Sequence, residues 1–165
     1  MANFEEQLEK MNIQLPEVQA PIANYVPGIR TGNLLFLSGS GPLPDNEGNL
    51  KLGKLGEDLT VEDGYESAKT TGINLLSRIK NEIGTLNNVV RIVKIFCMVN
   101  SSPDFTSQPL VANGCSDLLV EVFGEYGKHS RSAVGVAALL PRLLTAQRAS
   151  QLAVDPNASC TGNRR

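Results

Sequence analysis

Arg131 stands in the run His129-Ser130-Arg131-Ser132-Ala133-Val134-Gly135-Val136, at the mouth of an apolar, strand-like segment. A guanidinium keeps its charge and presents a planar fork of N–H donors that matches a carboxylate in a two-point contact. A carboxylate-bearing metabolite held at a sheet edge is the chemistry this placement suggests. A surface ion pair is the competing explanation, and such pairs contribute little. His129, the single histidine of the chain, precedes Arg131 by two residues, so in extended backbone both side chains share a face. A general-base role is open to it, as is that of a plain loop residue before a strand. No acid is placed to orient its imidazole, so neither a Ser-His-Asp nor a Cys-His arrangement can be argued.

Tyr25, Ser38 and Asn113 are further polar groups set beside apolar structure, on separate elements. Each has a structural explanation: a packed tyrosine ring with its hydroxyl in water, a strand end, a helix start. Gly39-Ser40-Gly41 invites a phosphate-loop reading, but it lacks the third glycine, the lysine and the hydroxyl, and Pro42 removes an amide donor. A turn where glycine admits close approach fits better. Cys97, Cys115 and Cys160 form neither a redox pair nor a ligand pattern, and with one histidine they argue against a zinc site.

The elements that must carry these groups follow from periodicity and punctuation. Phe4, Leu8 and Met11 mark a short amphipathic helix, broken by Pro16 and Pro21. Residues 25–29 and 34–38 read as a hairpin around Thr31-Gly32-Asn33, and residues 51–55 as a short edge strand. Thr60 with Asp63 resembles a capping box, and Val61, Tyr65, Ala68, Leu75, Leu76, Ile79 and Ile83 recur at helical spacing until Gly84. Residues 89–99, nearly all apolar, predict a central strand. A second helix is expected over 109–126, with Val111, Cys115, Leu118, Leu119, Val122 and Phe123 inward, and a strand over 132–139, ended by Pro141. Residues 143–154 read as helix as easily as strand, and the polar stretch 155–165 as disordered. Two helices alternating with strands predict one sheet with both helices on one face. The bare face then predicts oligomerisation.

The chain has 165 residues with 41% hydrophobic content, enough for one aliphatic core. A net charge of −2 and the lack of any basic stripe argue against nucleic-acid binding. No apolar run is long enough to span a membrane and the acidic start does not resemble a signal peptide, so a soluble cytoplasmic protein is expected.

Four segments together resemble the RidA/YjgF family of reactive-intermediate deaminases: Ala23-Asn24-Tyr25-Val26-Pro27-Gly28, Leu37-Ser38-Gly39-Ser40-Gly41-Pro42-Leu43-Pro44, Val93-Lys94-Ile95-Phe96-Cys97-Met98-Val99-Asn100 and Arg131-Ser132-Ala133-Val134-Gly135-Val136. Their order and spacing fit as a set, over residues 21–141. The first 20 residues are similar to the extension of a longer subgroup, and residues 142–165 form an atypical C-terminal segment. The resemblance implies an α+β, chorismate-mutase-like fold with a mixed sheet. It implies a homotrimer with its sheets around the three-fold axis and ligand clefts between subunits. It also implies hydrolysis of 2-imino or 2-enamino acids to 2-keto acids and ammonia, with no cofactor and no metal. By position, Arg131 would grip the substrate carboxylate. Tyr25, Ser38, Gly39 and Asn113 would line or support the cleft, and the amide of Ala133 would meet the substrate nitrogen or a water. Many short members carry a cysteine where Ala133 stands. A glutamate that orders the water would fall on Gln147, which can hydrogen-bond water but cannot serve as a carboxylate base. A non-catalytic trimer that binds small carboxylates or partner proteins is therefore the alternative. A ribonuclease or translation inhibitor ranks third, against the acidic charge balance.

Overall fold

Packing turns this one-dimensional pattern into two layers. The computed structural model describes residues 3–18, 24–139 and 145–157. In chain order the elements are α1 (Phe4–Lys10), β1 (Gly28–Thr31), β2 (Leu34–Leu37), α2 (Val61–Ile83), β3 (Val89–Asn100), α3 (Gln108–Phe123), β4 (Ser130–Val136) and β5 (Thr145–Val154). Single 3-10 turns, Leu86–Asn88 and Gly124–Gly127, follow α2 and α3.

The strands form one mixed sheet in the order β1-β2-β5-β3-β4. Only the β3–β4 pair is parallel, because α3 carries the chain back between them. Ile92, Ile95, Cys97 and Val99 of β3 are fully or almost fully buried, together with Leu75, Leu76 and Ile79 of α2 and Cys115, Leu118 and Leu119 of α3. The alternate positions Phe96 and Met98, with Phe36 and Val134, keep exposed surface on the opposite face. Both long helices thus lie on one side, as the layer argument requires. They approach so closely that a Cβ on Gly114 would sit 2.0 Å from the carbonyl oxygen of Tyr65.

The start of α2 is set by the expected capping box: Thr60 accepts from the Asp63 amide, and Asp63 accepts from the Thr60 amide. Lys51 pairs with the same carboxylate. Gly84, at φ +82°, takes the left-handed step that ends the helix. α1 docks on the last turns of the two long helices. Phe4 meets Phe123 edge-on at 4.8 Å, and Glu5 accepts from Thr85, Leu86 and Lys80.

Several expectations need correction. The first hairpin strand begins at Gly28, and Tyr25 precedes it, because a tight turn at Gly32-Asn33 pairs Gly28 with Leu37 as the last residue pair of the ladder. Residues 51–55 form no strand; Leu55 makes isolated bridges to Leu59 and Ser101. α3 stops at Phe123, since Gly124 at φ +60° turns the chain out of the helix. β4 runs from Ser130 to Val136, ending where its partner β3 ends at Asn100.

The C-terminal segment, open between helix and strand in the sequence, takes the strand alternative. Thr145–Val154 is a strand inserted between β2 and β3, antiparallel to both, with Leu152 and Val154 fully buried. Helix-favouring residues adopt a strand because two strand edges flank the slot, and sheet pairing outweighs weak local propensity. The disorder expected over 155–165 is corrected at its start, where the Asp155 amide donates to the Asn88 carbonyl and Arg30 donates to the carbonyls of Asp155 and Pro156; from residue 158 on, that expectation lies outside the described residues.

Candidate functional site

The sheet register puts Arg131 opposite Ile95, a core residue, so its side chain rises on the helix-covered side of β4. There it meets α3. One terminal nitrogen, Nη1, donates to Asn113 Oδ1 at 2.8 Å and to Ser116 Oγ at 3.0 Å. Asn113 and Ser116 are three residues apart on α3, hence on one helix face. Among the described residues no carboxylate forms an ion pair with Arg131. Arg131 is only partly buried.

His129 belongs to the same cluster. Its Nε2 lies 3.1 Å from Ser116 Oγ and its Nδ1 2.6 Å from the carbonyl oxygen of Gly127. Burial lowers the imidazole pKa; the Gly127 carbonyl raises it in part, and the nearby Arg131 charge lowers it further. The ring is therefore neutral near pH 7. The residue that sequence reasoning left between general base and loop filler is held on both nitrogens, and its orienting partner is a backbone carbonyl, which no side-chain pattern reveals. Ser116 was missed altogether; its signal was the three-residue step from Asn113.

Tyr25, Ser38 and Gly39 form a second cluster at the other end of the sheet. A cavity of about 600 Å³ lies against the β1–β2 hairpin, with Tyr25, Val26, Ile29, Phe36 and Ser38 among its walls. Tyr25 is 48% exposed. Ser38 donates its hydroxyl to the carbonyl of Val26 at 2.6 Å and its amide to the carbonyl of Pro27. This pins the segment before β1 to the end of β2. Gly39 is exposed, and its carbonyl faces Arg78 of α2 at 3.4 Å.

The remaining candidates fall between these clusters. Ala133 lies opposite Cys97 on β3, and the backbone of Gln147 lies opposite the same Cys97 from the other side. Ala133, Cys97 and Gln147 therefore share one row across β4, β3 and β5. The role suggested for the Gln147 side chain lies outside the described residues. The thiol of Cys115 is pushed up by burial, so it is no nucleophile. No group of His, Cys, Asp or Glu that could hold a metal is present among the described residues, and none of their helices is long and apolar enough to cross a membrane.

One protomer brings Arg131 to Asn113 but does not bring either to Tyr25 or Ser38. Two strands, β5 and β3, stand between β2 and β4. At roughly 4.8 Å per strand the two backbones are about 14 Å apart.

Residues 5–143 match the family described as "YjgF/chorismate_mutase-like, putative endoribonuclease". Protein TCP17 of Trypanosoma cruzi is 45% identical over 134 residues, covering 80% of this chain and 82% of that protein. Among solved structures, the protein Atu1372 of Agrobacterium tumefaciens, titled as having unknown function, is 34% identical with a TM-score of 0.81, over 92% of this chain and 94% of its own. A Shewanella oneidensis protein titled "putative endoribonuclease" is 30% identical with a TM-score of 0.85, over 93% of this chain and 99% of its own.

Proposed function

The chain belongs to the YjgF/chorismate-mutase-like family, RidA among its members, and from that premise we propose that it hydrolyses 2-imino and 2-enamino acids to 2-keto acids and ammonia. The observation that carries this reading is Arg131: a partly exposed guanidinium, held by Asn113 and Ser116, with no carboxylate of its own among the described residues. A small carboxylate is the complementary ligand.

The reaction asks little beyond placement. With its nitrogen protonated, an imine carbon is already electrophilic. Water adds to that carbon and one of its protons passes to the nitrogen; the C–N bond then breaks as the remaining hydroxyl gives up its proton to form the keto C=O, and the departing ammonia takes that proton and leaves as ammonium. Holding the carboxylate and water in register supplies much of the acceleration. The amide of Ala133, two residues along the strand from Arg131, is the proposed contact for the substrate nitrogen or water. Gln147 would orient that water as a hydrogen-bonding partner without being its base. In a homotrimer the Tyr25–Ser38–Gly39 end of one subunit would close over the Arg131–Asn113 end of its neighbour. The half-exposed face carrying Phe36, Phe96, Met98 and Val134 would be covered in the same assembly.

Hydrolysis of 2-iminopropanoate by wild type and Arg131→Ala tests this. Turnover by wild type and its loss in the variant are expected; equal rates, or no wild-type rate above buffer, reject it. Gln147 in place of a carboxylate favours a second reading, a trimer that binds small carboxylates without turnover. That reading requires 2-ketobutyrate binding that Arg131→Ala abolishes. Although relatives carry endoribonuclease names, a net charge of −2 gives little support for phosphate-backbone binding.

A further inference from the structure

We infer that Ser116 and His129 are positioning residues that select which edge of Arg131 meets its ligand. The inference rests on the carboxylate reading above and adds to it a direction of approach. Arg131 Nη1 carries two hydrogens, and two acceptors face it: Asn113 Oδ1 at 2.8 Å and Ser116 Oγ at 3.0 Å. Both hydrogens are thereby engaged. A guanidinium can grip a carboxylate end-on, through its two terminal nitrogens, or side-on, through Nε and one terminal nitrogen. With Nη1 occupied the end-on fork is closed. The Nε–Nη2 edge is left for the ligand.

The rest of the cluster fixes this choice, because each hydrogen bond in it can run only one way. The Gly127 carbonyl can only accept, so the His129 nitrogen 2.6 Å from it, Nδ1, carries the proton. In the neutral ring Nε2 is then a bare acceptor. The Ser116 hydroxyl, 3.1 Å away, donates to it and turns a lone pair toward Arg131. The series runs from Arg131 to Ser116 to His129 to Gly127, every donor pointing in the same sense, and such chains reinforce one another.

The far end is rigid. A Cβ on Gly127 would lie 2.1 Å from the carbonyl oxygen of Leu119, so only glycine lets this turn sit directly on α3. Phe4 of α1 stacks edge-on against Phe123 and Tyr126, at 4.8 and 6.4 Å, on either side of Gly124. The N-terminal helix thus braces the turn whose carbonyl orients His129.

Threonine and valine have the same shape and differ here by one hydroxyl, so Ser116→Thr and Ser116→Val share any cost of β-branching in the helix. In calorimetric titrations with 2-ketobutyrate, Ser116→Thr is expected to bind within about threefold of wild type and Ser116→Val about tenfold more weakly. His129→Gln, whose amide oxygen can accept from Ser116, is expected to follow the threonine variant, and His129→Ala the valine variant. Equal affinities within both pairs, with Arg131→Ala still abolishing binding, would overturn the positioning role and leave the carboxylate clamp standing. Unchanged binding in Arg131→Ala would remove the clamp itself.

Discussion

The two ends of the sheet solve different problems. At the β4 edge, Arg131 is anchored through a connected series of polar contacts that draws on α3, β4 and the turn between them. At the β1–β2 edge, Tyr25 is half-exposed and the Ser38 hydroxyl is engaged by its own neighbouring backbone. One end is pre-organised to present a charge. The other is a shaped wall waiting for something to face. The pieces of the motif follow one another along the polypeptide, yet within one chain they lie on opposite sides of two intervening strands.

The contrast can be broken by unequal mutational effects. Arg131→Ala should lower kcat/KM for 2-iminopropanoate by at least about a hundredfold, because it deletes a charge-assisted two-point contact. Tyr25→Phe at the opposite end should lower it only about threefold, having removed one exposed hydroxyl. Comparable losses would mean that the two ends share the work more evenly than their geometry implies. Asn113→Ala should fall between, about tenfold, expressed mainly in KM, because it frees one Nη1 hydrogen without removing the charge.

The smallest effects concern pH, and they separate the braced end from the rest. The His129 pKa is depressed, chiefly by burial, so the neutral ring is the one the fold prefers. Its contribution to stability is present above the ordinary histidine value of 6.5 and is lost as pH falls below it. His129→Gln should flatten the stability profile in that window, as read by thermal melting. Glu5, which ties α1 to the helix ends, behaves like a conventional carboxylate. Burial pushes its pKa up, but hydrogen bonds from Thr85, Lys80 and Leu86 outweigh that and hold it below 4.5. Its contribution is present above that value and disappears as pH falls through the lowered one. Glu5→Gln should therefore lose stability at neutral pH and converge with wild type in acid; parallel curves would show that α1 is held by Phe4 and Leu8 alone.

Much of this architecture was legible in residue order. The capping pair Thr60 and Asp63, the apolar stripe from Ala68 to Ile83 and the continuous apolar run of β3 each state their structure locally, through hydrogen-bond chemistry or periodicity. Arg131 and Asn113 were legible as candidates because their types are unusual beside apolar structure. The strand Thr145–Val154 was not: its alanines and glutamines carry no strand signal, and its state is decided by the edges of β2 and β3, which are distant in sequence. Ser116, marked only by its three-residue step from Asn113, and the Gly127 carbonyl were hard to read for a similar reason. One is an ordinary helix serine and the other a backbone group, and both acquire meaning only when α3 packs over β4.

We propose that the two ends work as one site across a subunit boundary, which mixing of subunits would reveal. Arg131→Ala and Tyr25→Ala proteins, each impaired alone, would be unfolded together in equal amounts and refolded. If Arg131 of one subunit works with Tyr25 of the next, random reassembly restores about a quarter of the sites to full composition, and imine hydrolysis should return to about a quarter of the wild-type rate. A mixture no more active than the average of its two components, although the subunits have exchanged, would rule the shared site out.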